Sequence, residues 1–166
     1  MDLTVDADQV DLATFDIIEL PKGFHPLGKL NFTGKVTGPF EGFSLAGRIY
    51  GTGVGIDKLI FDKVEGDLKF SNGTELPFFH ISLEKGRGLY LLDGNLFSSF
   101  NVKIKEGDMK DCLSLLRLIP DSKVSFDKFL FDDLKGTING SVTFGGEDPS
   151  ASRMILTLEG VDGGTG

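Results

Sequence analysis

From residue 28 the chain reads GKLNFTGKVTGPFEGFSLAGR, with apolar Leu30, Phe32 and Val36 set against polar Lys29, Asn31, Thr33, Lys35 and Thr37. Alternation with a period of two predicts a strand with one buried and one solvated face. The same signal runs through residues 3–7 and through 43–50, where Phe43, Leu45 and Ile49 share a face. The glycine cluster GTGVG at 51–55 is expected to interrupt that third strand. Apolar residues resume in IDKLIFDKVEGDLKF, and their phase shifts near Asp62, which predicts a turn or bulge there. Asn72-Gly73 is a strong hairpin signal joining Val64, Leu68 and Phe70 to Phe79, Ile81 and Leu83. EKGRG at 84–88 turns the chain into LYLLDGNLF, and FNVKIK then places Phe100, Val102 and Ile104 opposite Asn101, Lys103 and Lys105. The expected fold is an all-β antiparallel meander.

One segment departs from this period. In DMKDCLSLLRLIP, residues 108–120, Cys112, Leu115, Leu116 and Ile119 recur at helical spacing. Asp108 or Asp111 can cap the start and Pro120 ends it, so a short amphipathic helix is predicted. The helix also exposes a repeat. DLATFDIIELP at 11–21 is echoed by DCLSLLRLIP at 111–120, and GKLNFTGKVTG at 28–38 by GTINGSVTFGG at 136–146. Each copy runs on into an alternating strand and glycine, FSLAG or LTLEG. Residues 1–166 are therefore expected to form a single elongated β domain. It holds about one and a half copies of a unit of roughly 100–110 residues, at 11–110 and 111–166. The pattern is already running at residue 3, so continuation in a longer protein is expected; the acidic, alternating start MDLTVDADQV is unlike a signal peptide.

Composition sharpens the picture. The chain has 23 glycines, 15 phenylalanines and no tryptophan among 166 residues, and is 40% hydrophobic, enough to bury a core. A net charge of −8 with no basic block argues against a nucleic-acid groove and against docking on anionic headgroups. Cys112 is the single cysteine, which excludes an internal disulfide.

Candidate chemistry is thin. GTGVGIDK at 51–58 has glycines that would let backbone N–H groups approach a phosphate, but it lacks the spacing and the following helix of such loops. GFSLA around Ser44 approaches a nucleophile elbow yet lies inside an alternating strand. His25, His80 and Cys112 are too scattered for a zinc site, and DADQVD at 6–11 lacks the calcium-loop pattern. The sequons at Asn31, Asn72 and Asn139 matter only in a eukaryotic secretory setting. No catalytic residue, metal or cofactor is assigned, and an enzyme is not expected.

The residues Asp11, Leu12, Pro21, Gly28, Leu30, Gly34, Gly38, Pro39, Leu45 and Gly47 form a succession that resembles the AsmA-like and TamB superfamily of bacterial envelope proteins. LLDGNLF around Gly94 and DLKGTINGSVTFGG around Gly136 continue the likeness over nearly the whole chain. The resemblance implies a curved antiparallel sheet, a half-pipe or taco, apolar inside and polar outside. It implies an inner-membrane-anchored protein crossing the periplasm of a Gram-negative bacterium and supporting outer-membrane biogenesis. The expected partners are phospholipid acyl chains, the remainder of the same long chain, and an outer-membrane assembly protein such as TamA. Within such a trough the lipid-binding groove is expected to comprise Leu30, Phe32, Val36, Phe43, Leu45, Ile49, Leu68, Phe70, Phe100, Val102 and Ile104. Gly34, Gly47, Gly66 and Gly94 are expected where the sheet bends. The alternative is a β-sandwich binding or adhesion module, in which the same apolar residues fill a closed core. An adhesive glycan site usually wants aromatic platforms, and only Tyr50 and Tyr90 are available for one.

Overall fold

The computed structural model describes residues 2–14, 25–71, 78–95, 99–117, 134–145 and 153–163. The strands are β1 (Asp2–Asp11), β2 (Pro26–Thr37), β3 (Ser44–Ile56), β4 (Leu59–Phe61), β5 (Lys63–Ser71), β6 (Phe78–Lys85), β7 (Gly88–Asn95), β8 (Ser99–Asp108), β9 (Leu134–Gly145) and β10 (Arg153–Gly163). Among the described residues a 3-10 turn, Leu12–Thr14, follows β1, and a helix, α1 (Met109–Arg117), follows β8. All pair antiparallel in one curved sheet whose order is the chain order, except that β4 branches off to pair with β3 alone. Among the described residues β1 and β10 each have one neighbour, so the sheet is open. No second sheet lies against it among the described residues.

Antiparallel partners point to the same side, so the register identifies the two faces. Phe32 is opposite Ala7 and Ile49, Leu45 is opposite Val36 and Phe70, and Leu68 is opposite Phe79. The row continues from Ile81 to Leu92, to Val102 and to Val142. One apolar face therefore crosses the sheet without a phase error. The other carries Lys35, Arg48, Asp67, His80, Asp93 and Lys103.

The glycine cluster at 51–55 does not break β3, which runs on through Ile56. Its far end, Val54 to Ile56, pairs with β4. The turn expected near Asp62 is a bend between β4 and β5, held where the Asp62 N–H donates to the Glu84 carbonyl at 2.8 Å. The hairpin signal at Asn72-Gly73 lies outside the described residues, as do Pro21, Pro120 and Ile119.

The apolar face answers why so many glycines occupy strands. Gly34 and Gly47 are direct cross-strand partners. A Cβ on Gly34 would lie 2.5 Å from Phe32 Cζ, and one on Gly47 2.5 Å from Phe32 Cε2. The phenyl ring thus lies over both glycines and shields the backbone that they leave bare. At this pair the glycines make room for a ring.

The corner between β1 and β2 recurs between β8 and β9. In each, the first strand bulges, between Ala7 and Val10 and between Ile104 and Gly107. In each bulge one residue has positive φ, Gln9 at 55° and Glu106 at 51°. Its N–H donates at 2.8 Å to an asparagine Oδ1, Asn31 in the first corner and Asn139 in the second. An aspartate then accepts from the backbone two residues on, Asp11 from Ala13 at 3.0 Å and Asp108 from Lys110 at 2.8 Å. A second bulge also recurs, beside Gly28 in β2–β3 and beside Gly136 in β9–β10. The counterpart of Asp11 is therefore Asp108, and β8–β9–β10 repeats the arrangement of β1–β2–β3. Asp108 caps α1, while Asp111 pairs elsewhere.

These corners give a paired prediction. Asn31→Ala and Asn139→Ala each strand a bulge N–H and should each destabilise the domain by about 1 kcal/mol. Urea titration checks it. Markedly unequal losses would mean that only one corner depends on its asparagine.

Candidate functional site

All eleven expected groove residues fall on or beside the apolar face, but their surroundings differ. Ten lie in strands; Phe43 just precedes β3, with its ring centroid 6.1 Å from that of Phe70. Phe100 holds the matching register position opposite Gly94. Ile49 and Ile104 are fully buried in the core. Leu30, Phe32, Leu68 and Val102 are half-buried against it. Val36, Phe43 and Leu45 are half-buried, and Phe70 is 41% exposed.

The gradient has a structural cause. At the strand ends bearing Gly51, Val64, Tyr90 and Ile104, two short elements fold over the apolar face. One is β4, which brings Leu59 and Phe61 to 5% and 3% exposure. The other is α1, whose Met109 and Cys112 are buried to 3% and 2%. Between them sits Tyr90, fully buried, with its ring edge-on to Phe61 at 5.8 Å and 75°. Val54, Val64 and Ile138 complete this packed flank. The opposite strand ends, with Val36, Leu45 and Phe70, have no such cover among the described residues, and Leu3 on neighbouring β1 is 52% exposed. Among the described residues the sheet is thus closed along one flank and open along the other.

Apart from Ile104, the residues of the closed flank are not among those expected in the groove. The apolar triplet Leu59-Ile60-Phe61 and the position of Tyr90 opposite Ile104 are the signals that point to them. A charged clasp holds α1 down: Lys85 Nζ donates to Asp111 Oδ1 at 2.5 Å, with both side chains largely out of solvent. Asp62 accepts from the Gly86 N–H at 2.7 Å and fixes the β6–β7 turn that presents Lys85.

Burial pushes the Cys112 thiol up from near 9.0 to about 11, and it pushes the Tyr90 phenol up as well. Their polar atoms face each other at 3.9 Å. Both protonated forms are favoured in the folded state. The thiol's contribution is complete below about 9 and is lost as pH rises to about 11, and the phenol's is complete below its ordinary value of 10.0 and is lost from there upward. Urea midpoints should accordingly fall across that range, and Cys112→Ala should flatten its lower part. A midpoint that stays level to pH 11 would contradict burial of the pair.

The remaining candidates are surface features. His25 Nδ1 meets Asp57 Oδ1 at 2.9 Å, and His80 Nδ1 meets Asp93 Oδ1 at 3.2 Å, all exposed or nearly so. Ser44 Oγ donates to the Phe70 carbonyl at 3.4 Å, which holds its hydroxyl as a strand contact. No three His, Cys, Asp or Glu side chains converge among the described residues. A depression of about 510 Å³ opens on the polar face beside Thr33, Lys35, Arg48, Asp67 and Phe78. Another of about 350 Å³ lies beside Gln9, Asn31 and Tyr50, also on the polar face. No family model, curated protein or solved structure matches the chain. The likeness to the AsmA and TamB superfamily therefore rests on the residues that carry it.

Proposed function

We propose that this chain is a segment of an AsmA/TamB-like envelope protein whose apolar face shields phospholipid acyl chains on their way between the inner and outer membranes. The observation that carries the reading is the apolar face that runs from β1 to β9 and is open, among the described residues, along the Val36–Leu45–Phe70 flank. Strands spaced ~4.8 Å apart make such a row a track ~34 Å long, running across the strands. Each methylene laid on it is removed from water at ~0.8 kcal/mol, without any catalytic step. Headgroups stay at the open flank, where the polar face begins. The periplasm is the proposed compartment, and the remainder of a longer chain and an outer-membrane assembly protein are the proposed protein partners.

The closed flank supports a second reading, in which the domain is a self-contained binding module and the apolar row is only its core. Native mass spectrometry of protein purified from a Gram-negative host separates the two. The conduit reading expects adducts of phospholipid mass that survive gentle ionisation and disappear after detergent exchange. Bare protein in every preparation supports the module.

A further inference from the structure

We propose that the depression beside Tyr50 on the polar face binds one ring of a neutral glycan, with Tyr50 as the platform and the Gln9 and Asn31 amides as partners for its hydroxyls. The site lies on the face away from the acyl track and is independent of the lipid reading. Of the two tyrosines in the chain, Tyr90 is buried in the packed flank and Tyr50 is 46% exposed. Asn31 is the direct partner of Tyr50 across β2 and β3, and Gln9 reaches Asn31 from the bulge of β1. Hydrogen bonds fix how both amides are turned. Asn31 Oδ1 accepts from the Gln9 N–H at 2.8 Å and from Gln9 Nε2 at 3.3 Å. A backbone N–H can only donate, so the Asn31 carbonyl must face it and Nδ2 is turned away. Asn31 Nδ2 and Gln9 Oε1 make no hydrogen bond among the described residues. They offer two N–H donors and an acceptor, the set that neighbouring sugar hydroxyls require.

The fold alone does not account for Tyr50 or for the Gln9 side chain. In the copied corner the bond from the Glu106 N–H to Asn139 Oδ1 is kept at 2.8 Å, with a glutamate in the place of the glutamine. Thr157 stands opposite Asn139 where Tyr50 stands opposite Asn31. Such a corner therefore closes without the ring and without the second amide. Size and charge then select the ligand. At about 350 Å³ the depression falls at the lower end of the ~300–1,000 Å³ of small-molecule sites, room for one ring with the rest of the glycan in solvent. The charges around it are balanced: Lys29 is opposite Asp11, and Glu65, opposite Tyr50, pairs with Lys63 at 2.9 Å. Neither an anion nor a cation is favoured. A pyranose with equatorial hydroxyls has an apolar C–H face and a polar rim, and an aromatic ring flanked by amides matches both.

The test uses the full chain with cellobiose, lactose and diacetylchitobiose as probes, and sorbitol, a polyol without a ring face, as control. Saturation-transfer NMR should show saturable binding of at least one disaccharide and none of sorbitol. Amide shifts should centre on Gln9, Asn31 and Tyr50 and spare Leu45 and Phe70 at the far strand ends. Two variants, Tyr50→Thr and Gln9→Glu, borrow the residues of the copied corner, and a thermal melt checks that each folds. Each should weaken binding about tenfold or more, from loss of the platform or of the amide donors. Tyr50→Phe keeps the ring and should retain most of the affinity. If a variant fails to fold, the order of the probes and the position of the shifts on the unmodified chain still decide. Absence of saturable disaccharide binding, equal binding of sorbitol, shifts centred elsewhere, or undiminished binding by folded Tyr50→Thr would each overturn the proposal.

Discussion

Tyr90→Ala should destabilise the domain by about 3–5 kcal/mol, whereas Phe70→Ala should cost less than about 1 kcal/mol. The two residues share one apolar face, yet Tyr90 is fully buried and Phe70 is 41% exposed. Removing the Tyr90 ring leaves a cavity bounded by Phe61, Ile104, Met109 and Cys112, which β4 and α1 hold in place from two sides. Such rigid surroundings relax only in part, so the cavity adds to the lost transfer free energy. Against a total stability of 5–15 kcal/mol, typical of a domain, the loss is a large fraction. Tyr90→Phe serves as the companion, because it keeps the ring and deletes only the hydroxyl near Cys112 Sγ. Denaturant unfolding of the three variants gives the answer. Equal losses at Tyr90 and Phe70 would mean that the face is evenly packed, and the distinction between a closed and an open flank would fall.

The strands were legible because their signal is local. Leu30, Phe32 and Val36 alternate against lysines and threonines, and side-chain direction in a strand follows from that alternation alone. The pairing order was legible for a related reason: short turns join neighbours in an antiparallel meander. The closed flank was not legible. Leu59-Ile60-Phe61 reads equally as the start of the next strand, and only pairing with the end of β3 turns it into a cover. Glycines at 51, 53 and 55 suggested a break, because an isolated glycine run carries no information about what packs on it. Here Leu30 and Val54 side chains fill the place that a Cβ at Gly51 would take. The repeat was visible in the paired glycines 28 and 136, but the corner that precedes each was hidden. The corner that marks it depends on Gln9 and Glu106, side chains with little in common whose shared feature is a positive φ and an asparagine acceptor. Backbone conformation, unlike hydrophobic period, leaves no pattern in residue type there.

A photo-crosslinking residue at Phe70 should capture phospholipid in cells, and one at Lys35 or Lys103 should not. Phe70 lies on the apolar face at its open flank, while Lys35 and Lys103 stand on the other side of the sheet. Val102, half-buried beside the packed flank, should give fewer adducts than Phe70. Ile49 and Ile104 should give none, because the folded protein already covers them. The matching substitution is Phe70→Asp. It sets a carboxylate on the hydrocarbon track, where a charge without a partner is costly to desolvate, while at 41% exposure it leaves the core intact. Lipid retention should fall by about tenfold or more, equivalent to about 1.4 kcal/mol, with little change in melting temperature. Phe32→Asp is the less clean variant, since the ring it removes also shields Gly34 and Gly47, so it should lose both lipid and stability. The contrast between the two substitutions is what distinguishes a conduit from a core. A conduit loses lipid at Phe70 without unfolding, whereas a core that merely happens to be exposed yields no adduct at Phe70, Val36 or Leu45 in protein that is fully folded.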